Sequence, residues 1–293
     1  MSDKMQSIAL ILSLISVWLV KYLPEAATNT IGYTLILTIG IVHGANDIHL
    51  ELRKNKIAAI PVNAFTLLIR YISLIALTAT VFYFFSAFAL LFFILFSGYH
   101  FGEQHWQKHL SKTRKTRSIF FGLYGLMVLF LFFYRNPEDS QEVIIHLTGY
   151  TISPQTFTIA FIISSLSFLT LAIFHLKEKA WNFWIRELFF ILIFGIIFSI
   201  APLIWAFAIY FIFWHSIPSL GDQIQFLYGG TEKKHIIKYA KQALVYWVIS
   251  LVFIISLVFL LKDQVQILTA LLIAFLAAIT IPHTLLMREI FKT

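Results

Sequence analysis

The chain contains no cysteine and few charged residues, and these two absences exclude several classes of protein. With no cysteine among 293 residues, disulfide scaffolds, thiolate metal sites, iron–sulfur clusters and cysteine nucleophiles are excluded. Asp, Glu, Lys and Arg make up only 12% of the residues, whereas a water-soluble globule carries about 25%. Apolar residues make up 59%, and the mean hydropathy is +0.84. The composition therefore indicates a polytopic membrane protein.

Long apolar runs fill the chain from Ile8 to Leu286 and leave no room for a soluble module. They predict an all-α fold, a polytopic transmembrane bundle of about ten helices that forms one integral-membrane domain over residues 1–293. The expected helix limits are 7–23, 30–49, 62–85, 87–107, 118–134, 154–176, 186–200, 202–220, 243–261 and 265–287. Tight turns are expected near Ser86, at Ala201-Pro202 and at Lys262-Asp263-Gln264.

The basic residues indicate how the helices are oriented. If both termini are cytoplasmic, most of the 22 Lys and Arg residues fall in inside segments, whereas Glu138, Asp139 and Glu142 fall outside. We therefore expect cytoplasmic termini and a multi-pass location in the cell (inner) membrane. Because the basic residues are dispersed over several loops, nucleic acid is not an expected partner, and the net charge of +8 indicates attraction to membrane lipid.

Four short polar clusters interrupt the apolar runs, and each contains a histidine. The clusters are His43-Gly44-Ala45-Asn46-Asp47, Gly98-Tyr99-His100-Phe101-Gly102-Glu103, Trp214-His215-Ser216-Ile217-Pro218-Ser219 and Ile281-Pro282-His283. In the ten-helix scheme His43, His100 and His215 each lie about 13 residues into an even-numbered helix, about 20 Å from its outer end. An unpaired ionisable group in a bilayer costs at least a few kcal/mol, so a common depth indicates a shared buried ligand. A metal ion is the first candidate, and a hydrogen-bonded structural role is the alternative for any single histidine.

Two carboxylates follow these histidines by one helical turn, Asp47 after His43 and Glu103 after His100. We expect Asp47 and Glu103 to orient the imidazoles by accepting their second N–H. Glycine pairs at four-residue spacing are expected to allow close helix approach around the site; they are Gly40 with Gly44 and Gly98 with Gly102.

The remaining ionisable residues of interest lie within the third expected helix, at cytoplasmic helix ends and in loops. Arg70 is expected to pair with a buried carboxylate such as Asp47, with snorkelling or simple packing as alternatives. Solvated imidazoles are expected at the cytoplasmic helix ends and loops, at His49, His105, His109, His175 and His235.

Tyr99 and Trp214, beside the cluster histidines, are candidates for lining a substrate pocket.

The type of metal follows from ligand chemistry and from the apolar setting. Imidazole ligands suit zinc, copper or iron, and affinity order alone does not choose between them. The His-Glu-x-x-His arrangement typical of zinc hydrolases is absent from the sequence. Redox chemistry with oxygen on an apolar substrate fits a membrane-embedded site better. This favours non-haem Fe(II).

The four histidine clusters are similar to the signature blocks of the Brp/Blh family, bacterial and archaeal membrane β-carotene dioxygenases found beside retinal-based rhodopsins. The resemblance implies iron-dependent cleavage of β-carotene by O2 at its central 15,15′ double bond, which gives two retinals. It places His43, His100 and His215 at metal-ligand positions. Some members have a histidine four residues after the third ligand, where this chain has Ser219. The fourth ligand is therefore expected to be His283, with a water near Ser219 as the alternative.

Two other functions remain as alternatives. A membrane di-iron desaturase or hydroxylase acting on lipid or carotenoid would need about eight clustered histidines, and only His105-x-x-x-His109 resembles one of its motifs. A proton-coupled transporter would use buried His and Asp as a relay. A retinal-binding rhodopsin is not expected, because no lysine lies in the middle of a helix to form a Schiff base.

Overall fold

The computed structural model describes residues 3–111, 115–175, 179–260 and 265–292. Within these ranges every regular element is a helix, and nine helices are long and apolar enough to cross a membrane. A tenth, shorter apolar helix lies at the N-terminal end of the described residues. The prediction of an all-α bundle of about ten helices is confirmed, whereas the orientation of the termini stays a prediction.

Most spans are single helices, but two are interrupted by π-helical turns. The elements of the first half are α1 (Asp3–Val20), α2 (Glu25–Leu35), π1 (Ile36–Gly40), α3 (Ile41–Gly44), α4 (Asp47–Ile57), α5 (Ala64–Phe84), α6 (Ser86–Trp106), α7 (Arg117–Arg135) and α8 (Pro137–Thr148). Those of the second half are α9 (Pro154–His175), α10 (Trp181–Ile200), α11 (Leu203–Ile209), π2 (Tyr210–Ser216), α12 (Ile217–Tyr228), α13 (Lys233–Leu260) and α14 (Val265–Lys292).

The tight turns agree with the sequence where the structure describes them. Only Phe85 separates α5 from α6, and Ala201-Pro202 separates α10 from α11. The turn expected at residues 262–264 lies outside the described residues. Helix α8, in the segment between α7 and α9, was not expected; it begins at Pro137, and it is followed by Gly149, whose φ of 75° suits glycine.

The spans differ strongly in how much of their surface other helices cover. The most apolar part of the span Leu203–Tyr228 is 72% buried, whereas that of Lys233–Leu260 is only 11% buried. The second span also has the higher hydropathy of the two, 2.7 against 1.6. An exposed apolar surface is stable in contact with lipid acyl chains, so we infer that α13 faces lipid. The span from α11 to α12 instead carries buried polar residues.

The helices form two compact units. The first consists of the described residues within 1–33 and 91–215. In this unit α7 packs against α9 and α10, and α1 packs against α10. Two indole N–H groups bind α1: Trp205 donates to the Ser16 carbonyl at 3.0 Å, and Trp214 donates to Ser13 Oγ at 2.9 Å.

Close contact between α6 and α7 depends on glycine. An added Cβ at Gly102 would overlap the backbone carbonyl of Phe121, and one at Gly125 would overlap that of Gly98. The predicted close approach at the second glycine pair is therefore confirmed. At Gly44 an added Cβ would meet two side chains, Ile279 at 3.3 Å and Asp47 Oδ2 at 3.8 Å, so the packing there is less strict.

The second unit consists of the described residues within 34–90 and 216–293. Helix α14 packs against α4 and α5, α12 packs against α4, and α13 packs against α3. An apolar cluster joins the ends of α4 and α14; its buried members are Leu50, Leu286, Met287 and Ile290. This packing brings the end of the chain to the first histidine cluster. A single integral-membrane domain stays a prediction.

Candidate active site

The second unit holds a pair of buried histidines, His43 on α3 and His283 on α14. Their ring centroids are 4.3 Å apart, with an edge-to-face interplanar angle of 61°. Only 4% of His43 and 2% of His283 is exposed. The π1 turn ends three residues before His43, and π-helical turns are common at functional sites. Residues from the two ends of the sequence thus form one polar site within an apolar unit.

Asp47 contacts the imidazole of His283. Its Oδ1 lies 2.8 Å from His283 Nδ1, and its Oδ2 accepts a hydrogen bond of 2.7 Å from the Tyr71 hydroxyl. Asp47 is 1% exposed and begins α4, where the helix dipole favours a carboxylate. An acceptor at Nδ1 favours the tautomer that carries its proton there, so the lone pair of His283 is on Nε2.

A second polar network holds the backbone of His43. The side-chain amide of Gln223 donates to the His43 carbonyl at 2.9 Å, and its nitrogen is also 3.4 Å from His43 Nδ1. The Gln223 carbonyl accepts the Tyr239 hydroxyl at 2.6 Å, and Ser219 Oγ is 3.3 Å from the amide nitrogen. Gln223 and Ser219 are both buried. Three buried polar side chains therefore satisfy one another beside His43.

The first unit holds a second pair, His100 on α6 and His215 in π2. Their ring centroids are 4.7 Å apart at an interplanar angle of 76°, and neither ring is more than 2% exposed. Phenylalanine rings surround His215, with the centroid of Phe101 at 4.5 Å and that of Phe211 at 5.7 Å. Each unit thus contains one buried pair of imidazoles.

The neighbours of the second pair differ in what they contact. Glu103 is 5% exposed and accepts a 2.8 Å hydrogen bond from the Tyr99 hydroxyl. The Trp214 ring packs edge-to-face on Phe190 and Phe194, both at 4.9 Å, while its N–H binds Ser13. Trp214 is therefore a packing residue between π2, α10 and α1.

Two histidines expected to be solvated, His105 and His175, are largely covered by other helices, and that prediction was wrong for them. His105 Nε2 lies 2.7 Å from Glu187 Oε2, and its ring stacks on Tyr124 at 4.9 Å. His175 is fully buried, with Nε2 3.2 Å from Thr116 Oγ1. The reason is the packing of α7, α9 and α10, which covers the helix ends.

The expectation that Arg70 pairs with a buried carboxylate is confirmed, but that carboxylate is Glu51 and not the suggested Asp47. Arg70 pairs with Glu51 at 2.8 Å, and 72% of its side chain is exposed. Asp47 is occupied by Tyr71 and His283 instead. Residues adjacent on a helix point about 100° apart, so Tyr71 faces Asp47 while Arg70 points outward.

Three residues that form hydrogen bonds at the candidate site were not predicted from the sequence. Gln223 had a signal, because it lies one helical turn after Ser219. Tyr71 and Tyr239 had none, because a tyrosine in an apolar helix has no distinguishing pattern. Only the tertiary contacts show their hydroxyls at Asp47 and Gln223.

The donor set can accommodate a metal. His43, His100 and His215 are buried histidines, each with a ring nitrogen that could bind a metal ion. Imidazole nitrogen is a ligand that suits zinc, copper and iron. The fold and these residues define a polytopic membrane protein with buried imidazole donors.

A family model described as Beta-carotene 15,15'-dioxygenase matches residues 34–290. The chain belongs to this family, and its activity is that of a β-carotene dioxygenase. The match includes all four histidine clusters and favours this function over the desaturase and transporter alternatives. Comparison with curated proteins and with solved structures gave no significant match.

Proposed function

We propose that the chain uses one Fe(II) ion and O2 to cleave the central double bond of β-carotene into two retinals within the cell membrane. The two buried histidine pairs carry this proposal. His43 with His283 and His100 with His215 supply four imidazoles, each at most 4% exposed. Membership of the β-carotene dioxygenase family supports an oxidative role for these imidazoles.

Iron is favoured over the other ions that imidazole binds. Zinc has no redox chemistry, and the activity of the family is an oxidation by oxygen. Nitrogen ligands without thiolate suit Fe(II), and four of them leave coordination positions for a reactant. When bound, the metal supplies the activation of oxygen that an organic side chain cannot. Carboxylates near the site then act by orienting the imidazoles.

His283 is the proposed fourth ligand. Its ring lies against that of His43, and Asp47 holds its Nδ1, so that Nε2 has the lone pair a metal requires. Ser219 offers only a neutral hydroxyl, which is a poor ligand for Fe(II), and that hydroxyl lies 3.3 Å from the Gln223 amide nitrogen. We propose that Asp47 orients His283 and that Glu103, held by Tyr99, orients the neighbouring histidine pair.

The protein must also select the central bond of a substrate that has no polar handle there. Regioselectivity then depends on the shape of the apolar surface on either side of the histidines. Phe101 and Phe211 pack on His215, and Phe207 stacks on Phe211 at 5.2 Å. We propose that rings of this kind guide the polyene and exclude water. In the reaction the central carbon–carbon bond is broken, and each of its two carbons takes one oxygen atom of O2.

The experiment is expression in cells that make β-carotene, followed by measurement of retinal and of iron in the purified protein. We expect about one iron per chain, and loss of both iron and retinal in His43→Ala, His100→Ala and His215→Ala, because removing one buried ligand opens the site. His146→Ala is the matched control, since His146 lies on α8, apart from the four histidine clusters. Full iron retention in all three ligand variants would contradict the metal site.

A further inference from the structure

Tyr71 lies behind the Asp47–His283 pair and is the second partner of its carboxylate. Its hydroxyl donates to Asp47 Oδ2 at 2.7 Å, and Asp47 Oδ1 faces His283 Nδ1 at 2.8 Å. Asp47 and His283 are 1% and 2% exposed, so water does not compete for these bonds. The three side chains come from α4, α5 and α14 and form one continuous hydrogen-bonded chain.

Charged side chains lie near Tyr71, so it matters that the second hydrogen-bond donor to Asp47 is a neutral hydroxyl. A cavity of about 190 Å³ adjoins Tyr71 and Pro282, and its charged lining residues are Glu51, Lys54, Arg70, Arg288 and Glu289. A cation that reached Asp47 would neutralise its charge and compete with His283 for the carboxylate. Arg70, adjacent to Tyr71 in sequence, pairs with Glu51 instead. The Tyr71 hydroxyl satisfies Oδ2 without neutralising the carboxylate.

We propose that Tyr71 is a positioning residue for the metal centre, acting on His283 through Asp47. It holds the carboxylate so that Oδ1 keeps the proton of His283 on Nδ1 and directs Nε2 to the metal. A carboxyl group that accepts the Nδ1 proton makes Nε2 a stronger donor. This inference rests on the proposed function, because it requires His283 to be a ligand.

The first test is metal affinity in protein stripped of metal, with Co(II) as the probe and a chelator as competitor. Tyr71→Phe removes one oxygen and should raise the Kd for Co(II) about tenfold and shift the visible Co(II) absorption. Tyr83→Phe is the matched control on the same helix, because Tyr83 is 83% exposed, and it should leave both unchanged. An unchanged Kd in Tyr71→Phe would overturn the proposal.

A double-mutant cycle separates action through Asp47 from a general structural effect. If Tyr71 acts through the carboxylate, Tyr71→Phe should not weaken Co(II) binding further in an Asp47→Asn background. Effects that add in full would overturn the proposal, since independent sites behave in that way. A purely structural role would lower the unfolding temperature and leave the Co(II) spectrum unchanged.

A measurement without substitution of Tyr71 covers the case in which the variant does not fold. The ¹⁵N spectrum of histidine-labelled, metal-free protein should show His283 protonated at Nδ1, assigned by the signal lost in His283→Gln. The opposite tautomer would overturn the proposal. If His283→Ala leaves the Kd for Co(II) unchanged, the proposed ligand set fails as well, whereas an effect of His283→Ala without one of Tyr71→Phe contradicts Tyr71 alone.

Discussion

Asp47 shows how the role of one side chain depends on residues far away in the sequence. It lies one turn after His43, which led to the expectation that it orients that neighbour. Its Oδ1 instead faces His283, 236 residues away. A carboxylate one helical turn after His43 is within reach of the rings of both His43 and His283. The position of α14 determines which of the two rings forms the hydrogen bond.

The fourth ligand provides a prediction at a single residue. We expect His283→Ala to lose iron and retinal formation nearly as fully as His43→Ala, because each change removes an imidazole from the same buried pair. Ser219→Ala should retain iron and much of the activity, because a hydroxyl contributes little to Fe(II) binding. Iron per chain and retinal yield are the measurements. An active His283→Ala together with an inactive Ser219→Ala would instead assign the fourth position to the hydroxyl or to a water bound there.

At the scale of elements, two helices are widened where the site histidines lie. The π2 turn contains His215, and π1 ends just before His43. A wider turn leaves some carbonyls without their usual helical partners. The indole N–H of Trp247 donates to the carbonyl of Thr38 in π1 at 3.1 Å. Such turns depend on tertiary partners of this kind, so periodicity in the sequence does not reveal them.

The contact between α6 and α7 provides a prediction for an element. Gly125→Ala should lower the free energy of unfolding by about 1–3 kcal/mol, because the new Cβ overlaps the Gly98 carbonyl. Gly122→Ala, on the same helix with nothing within 4 Å of an added Cβ, should raise it by about 0.5–1 kcal/mol through helix propensity. Denaturation in detergent measures both changes. Equal effects of the two substitutions would mean that the helices are not in close contact at Gly125.

At the scale of the whole molecule, the charge pattern predicts how the chain is oriented in the membrane. A reporter fused after Thr293 should behave as cytoplasmic, and one inserted at the exposed Tyr150 should behave as external, since inside loops carry the basic residues. Protease protection in sealed vesicles is an independent measurement. The reverse result at either position would show that the helix count or the orientation is wrong.

Burial of the histidines in an apolar bundle also predicts the source of the product oxygen. In ¹⁸O2 each retinal should carry one labelled atom, because the site excludes water and the activity is that of a dioxygenase. Mass spectrometry after rapid trapping of the aldehyde measures the label, and a reaction in labelled water with ordinary O2 controls for exchange. Label in only half of the product molecules would indicate a monooxygenase.

The sequence by itself determined the number and approximate limits of the helices, because a bilayer requires long apolar runs whose ends are visible in composition. It also identified the four histidines, since polar residues within such runs are few and costly. Only the tertiary structure decided which side chains form hydrogen bonds with one another at the site. Tyr71, Gln223 and the pairing of His283 with Asp47 depend on which helix faces lie together, and packing of helices distant in the chain determines those faces.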